Sequence, residues 1–230
     1  MKNKYEQKSL HFLIQPASEH RLRTFSLLFV FLDLTGMLFL VSEPFSPEYI
    51  LPILIPVILL HFWSVLYFID PYKFELSYYL FAGILGLVNT ITYFLVIQKF
   101  LYLHIEVTGP IFFVISLLLF LSLIVFFQIF HLKMLHSGKY AAYMEKGTNM
   151  NGHPIILASC SGYIVGQFVI SLIAAESILF IILITCITAL SVFTSFNTTY
   201  IQRYLYLKKH YKEIKKVRPN FGLSKNDRKL

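Results

Sequence analysis

The sequence predicts an all-α, polytopic helical membrane protein with about six transmembrane helices and both termini in the cytoplasm. Three observations predict it. Apolar residues fill 57% of the 230 positions and charged residues only 14%, against roughly a quarter in a soluble domain. The charges gather at the ends and in a few loops, leaving apolar runs of span length between them. Of the twenty Lys and Arg residues, nineteen fall on one side of those runs and only Lys99 on the other, and an excess of Lys and Arg marks the cytoplasmic side.

Taken in order, residues 1–24 read as a cytoplasmic leader, basic and with no small-residue cleavage site after the first apolar run. That run, Phe25–Val41, is the shortest and carries Asp33 near its middle. Tyr49–Ile69 follows, with Pro52 and Pro56 near its outer end, where a membrane helix tolerates proline and can kink. Then come Tyr78–Ile97, Pro110–Phe130, Ile155–Ala175 and Ile178–Asn197, so that 25–197 forms the membrane domain. At 1.5 Å per residue each run can cross a hydrocarbon core of roughly 30 Å, given some tilt or an extra turn. Only Glu176 and Ser177 separate the last two, whose joint length is about twice one span, so a tight hairpin is expected.

Tyr49, Tyr67, Tyr72, Tyr78, Tyr79, Tyr93 and Tyr102 sit near predicted span ends, the depth that suits an amphipathic ring. Beyond Asn197, Tyr200, Tyr204, Leu207, Tyr211 and Ile214 recur at helical spacing. The basic tail, 198–230, is therefore expected to be helical to about 218, ended by Pro219 and frayed after it. Its Arg203, Lys208, Lys209, Lys212, Lys215 and Lys216 are placed to contact anionic lipids of the inner leaflet.

Lipid gives helices no hydrophobic reason to associate, so small and polar residues must hold them together. Ala158, Gly162 and Gly166 form one small-residue stripe, Ala82, Gly86, Asn89 and Tyr93 another. Thr188, Ser191 and Ser195 share a face of the last run, as Ser26, Asp33 and Gly36 do in the first. Cys160 and Cys186 lie inside apolar runs and read as buried thiols.

A carboxylate inside a span is costly unless paired, protonated or wetted, which makes Asp33 the sharpest functional hint. His61 lies at a similar depth in the next run, and antiparallel neighbours joined by a short loop can bring the two together. Histidine changes charge near neutral pH, the chemistry a proton relay or ion-coupled carrier uses. The bland reading is a satisfied pair that fixes packing. Asn89, Gln128 and Gln167 are the other candidates for an intramembrane polar site.

No cofactor or metal is expected. His131, His136 and His153 have spacings that match no metal site, and their loop reads as a solvated connector. There is no HExxH, no GxxxxGK[ST], no CxxC and no internal repeat, and the tail carries no nucleic-acid-binding module. Ser159, Cys160, Ser161 and Gly162 resemble the nucleophile segment of rhomboid proteases, but the glycine that opens that segment is replaced and the last run has no histidine to act as base. An intramembrane enzyme is the least favoured reading.

Two functional expectations remain, the first of them preferred. One is a small permease or membrane subunit of a transport system, partnered by other membrane subunits or a cytoplasmic ATPase, with a polar path through Asp33 and His61. Its topology alone is similar to permease subunits of ABC exporters. The other is a non-transporting assembly, sensor or immunity factor, whose interior would be dry and packed. Richness in Phe, Ile, Leu and Lys matches an AT-rich bacterial genome, so a bacterial plasma membrane is the expected location.

Overall fold

The computed structural model describes residues 13–137, 154–174 and 177–228, and they are helical with no strand among them. The leader before residue 13, His153 and the Glu176 turn lie outside the described residues, as does the side chain of Ala158. Helix α1 spans Ala17–Val41, α2 Pro47–Ile69, α3 Glu75–His104 and α4 Ile111–His136. Helix α5 spans Pro154–Ala174 and α6 Ile178–Asn197, and two shorter helices follow, α7 at Tyr200–Lys209 and α8 at Tyr211–Val217. Among the described residues, five stretches are long and apolar enough to cross a membrane: α1, α2, α3, α4 and Ile178–Lys209. Helix α5 adds 21 residues, apolar from Cys160 to Ile173.

The first span is not short. It starts at Ala17, ahead of the apolar run, and from Ser26 to Met37 it is wound with i→i+5 hydrogen bonds. Such widening is rare at this length. Helix α2 opens on Pro47, where a missing N–H costs nothing, and continues unbroken through Pro52 and Pro56.

Helix α3 is the axis of the bundle. In its most apolar stretch 72% of residues are buried, against 22% to 33% in the other four. It lies parallel to α1 in a constant register: Asn89 Nδ2 donates to Leu27 O at 3.1 Å, and the Tyr93 hydroxyl to Phe31 O at 2.6 Å. These are carbonyls of the widened segment, whose second lone pairs take donors from α3 and so tie the two helices together. Tyr93 is thus a core residue rather than an interface one.

On its other side α3 packs antiparallel on α6 and the start of α7 through bare backbone. A Cβ on Gly83 would sit 2.6 Å from Ile201 N, and one on Gly86 2.7 Å from Asn197 Cβ. Thr90 Oγ1 meets Thr194 Oγ1 at 3.1 Å in the same seam. Helix α5 lies against α6, which supports a hairpin over one long helix. Gly166 of α5 meets Leu119, whereas nothing approaches Gly162. Cys186 is exposed on the bundle surface and Cys160 half-buried, because both sit on outward faces of their helices.

Both described ends of the chain meet at one end of the bundle. Gln15 N donates to Tyr79 Oη at 2.7 Å and Gln15 Nε2 to Tyr200 Oη at 2.6 Å. The tail beyond Pro219 is docked, not frayed. Phe221 is buried in an apolar cluster with Leu13, Ile14, Leu207 and Ile214. Arg228 Nη2 pairs at 2.8 Å with Glu75, which also accepts from Gly222 N at 3.3 Å. The reason is a buried carboxylate at the start of α3 that needs a cation, which only a returning chain end supplies. His131, expected in a solvated loop, is buried instead, because α4 runs on to His136.

Candidate functional site

Asp33 and His61 meet. His61 Nε2 lies 3.0 Å from Asp33 Oδ2, bridging α1 and α2, and the two side chains are each 34% exposed. The pair therefore sits in the seam between the two helices, open at the bundle's side, rather than on its axis. The Phe29 ring stands edge-on to the imidazole at 5.9 Å.

The hydrogen bonds fix the proton count. His61 Nδ1 lies 2.9 Å from Val57 O. A carbonyl only accepts, so Nδ1 carries hydrogen. Between Nε2 and Oδ2 there is then room for one shared proton, on the imidazole or on the carboxyl, and the pair is neutral overall in either form. Neutrality is what allows it to stand open at a lipid-facing seam.

The other polar candidates do not join it. Asn89 Nδ2 is held by Leu27 O, away from the pair, and its Oδ1 is buried without a hydrogen-bond partner among the described residues. Gln128 Nε2 donates to Thr198 Oγ1 at 2.8 Å, and Gln167 Oε1 accepts from Ser116 Oγ at 3.5 Å. Each ties one helix to another at a separate place. Thr188, Ser191 and Ser195 are fully buried on the inner face of α6.

Two cations matter that charge counting treats as loop residues. Lys99, fully buried, donates from Nζ to Phe39 O at 2.9 Å, Leu40 O at 3.0 Å and Ser42 O at 2.6 Å. Arg21 Nη2 donates to Ile69 O at 2.9 Å. Each places a positive charge on the orphan carbonyls at a helix C-terminus, where the macrodipole favours it. Lys99 is thus a lock between the C-terminal ends of α1 and α3. The signal available in the sequence was a single Lys just past the end of the third apolar run.

The tail bases are partly occupied by aromatic faces. Arg203 lies 4.6 Å from the Tyr200 ring centre, Lys208 5.7 Å from Tyr204 and Lys215 5.6 Å from Tyr211, while Lys209, Lys212 and Lys216 are exposed. Between α4 and α5 a cavity of about 520 Å³ is lined mainly by Leu119, Leu123 and Phe126, with Gly162 open to it. Among the described residues no group of three or more His, Cys, Asp and Glu side chains is arranged to hold a metal ion.

Compared with protein-family models, curated proteins and solved structures, the chain matches none of them.

Proposed function

We propose that this chain is a six-span plasma-membrane protein with both termini in the cytoplasm, acting as a non-transporting assembly, sensor or immunity component rather than as a self-contained permease. One observation carries the reading: the position a conduction path would occupy is filled by α3, largely buried and closed by close backbone approach to α7 at Gly83 and to α6 at Gly86. The Asp33–His61 pair then serves as a neutral cross-link of α1 and α2. The shared end of the described termini supports an even number of crossings, and the distribution of Lys and Arg supports a cytoplasmic assignment for that end.

The transport reading keeps one observation in its favour, the half-exposed Asp33–His61 pair itself. Purified protein in proteoliposomes containing a pH-sensitive dye separates the two. Under an imposed potential the expected proton influx equals that of protein-free vesicles. An influx above that background that is lost in Asp33→Asn would overturn the proposal in favour of a carrier.

A further inference from the structure

A cavity of about 300 Å³ opens between α1, α3 and α6 near the end of the bundle that carries the termini. Its lining is ordered by depth. Helices α1 and α3 run inward from that end and α6 runs back toward it, so three independent sequences report the same axis. At the mouth stand Arg23, Tyr78 and Tyr200. Ser26 and Asn197 come next, and Phe31, Ala82 and Phe193 lie deepest, with the Phe31 and Phe193 rings stacked at 5.3 Å. At 1.5 Å per residue along α3, Tyr78 and Ala82 are about 6 Å apart in depth.

The polar groups are available. Asn197 Nδ2 is buried with no hydrogen-bond partner among the described residues. Arg23 pairs with Glu19 at 2.7 Å, but both are well exposed, and an i,i+4 surface pair holds a guanidinium weakly. The deep walls Phe193 and Phe196 are exposed on the bundle surface, so the cavity opens toward lipid as well as toward its mouth.

We infer that this cavity is a binding site for one anionic glycerophospholipid of the cytoplasmic leaflet. Its phosphate lies at Arg23, an ester carbonyl accepts from Asn197 Nδ2, and an acyl chain runs along Phe31, Phe193 and Phe196. A soluble anion would use Arg23 but not the aromatic depth, and zwitterionic phosphatidylcholine would bring its quaternary ammonium toward the same guanidinium, which weakens its hold. The site is separate from the exposed lysines of the tail.

The test uses the full chain in phosphatidylcholine vesicles carrying a trace of phosphatidylglycerol or phosphatidylcholine with a photoreactive acyl chain, read by peptide mapping. Phosphatidylglycerol is expected to label the peptide containing Phe193 and Phe196 preferentially. Arg23→Gln should weaken that labelling about fivefold, the ratio for one basic contact near a membrane surface. Leu27→Trp, which fills the cavity without touching charge, should abolish it, and Lys208→Gln with Lys209→Gln should leave it unchanged. Equal labelling by the two lipids, no effect of Arg23→Gln, or loss of the preference in the tail variant would each overturn the proposal.

Discussion

The single proton shared by Asp33 and His61 makes an asymmetric prediction about replacing either partner. In His61→Leu the acid is left alone in an apolar helix, which costs about 2.5–3.5 kcal/mol on insertion scales, and the folded state should lose about 2–3 kcal/mol. Asp33→Asn is different. Its amide can donate to the Nε2 lone pair while Nδ1–H keeps Val57 O, so a neutral hydrogen bond replaces a neutral proton-sharing pair. The expected change is under about 1 kcal/mol. Removing both groups, as Asp33→Leu with His61→Leu, should recover stability to within about 1 kcal/mol of the parent, because no polar group is stranded. Unfolding by SDS titration in mixed micelles measures all three. If Asp33→Asn proves as costly as His61→Leu, or the double variant is not rescued, the neutral-pair reasoning is wrong and a fixed carboxylate is required.

Lys99→Met removes three charge-assisted hydrogen bonds from the C-terminal end of α1 and should cost about 2–3 kcal/mol in the same titration, with Lys99→Arg intermediate. A loss below about 0.5 kcal/mol would show that the C-terminal carbonyls of α1 find other donors. Gly83→Ala and Gly86→Ala drive a methyl into α6 or the segment that follows it and should each cost about 1–3 kcal/mol. Gly162→Ala meets nothing and should be neutral or stabilising by up to about 1 kcal/mol. Thermal inactivation of the purified variants ranks them, and equal effects at Gly86 and Gly162 would contradict the packing described. Arg228→Ala strands buried Glu75 and should free the docked tail, raising the rate of trypsin cleavage at Lys225 several-fold, whereas an unchanged cleavage rate would show that Phe221 alone holds it.

The helices and the meeting of Asp33 with His61 were legible because both follow from one-dimensional quantities: run length, loop length and depth. The identity of the central helix was only half legible. Ala82, Gly86, Asn89 and Tyr93 marked a face of α3, but Gly83, Thr90 and Thr92 make most of its circumference small or polar, and that encirclement is what places it on the axis. The stripe at Gly162 looked equally good in sequence and contacts nothing there, since a small residue permits close approach without supplying a partner. Lys99 was hidden because its acceptors are main-chain carbonyls, which leave no trace in side-chain identity. The docked tail depends on a contact between Glu75 and Arg228, 153 residues apart, and no local pattern encodes such a distance. The early start of α1 escaped notice because His20, Arg21 and Arg23 read as leader, although His20 is fully buried against the Tyr78 ring at 3.7 Å.

The central claim is that the bundle axis is solid. Cysteine accessibility at Thr90, fully buried where α3 meets α6, tests it most directly. With Cys160 and Cys186 replaced by Ala, Thr90→Cys in sealed vesicles should resist a membrane-impermeant maleimide from either side, while Glu106→Cys in the exposed loop after α3 is labelled. Labelling at position 90 from either face would reveal a water-filled path along α3 and contradict the account.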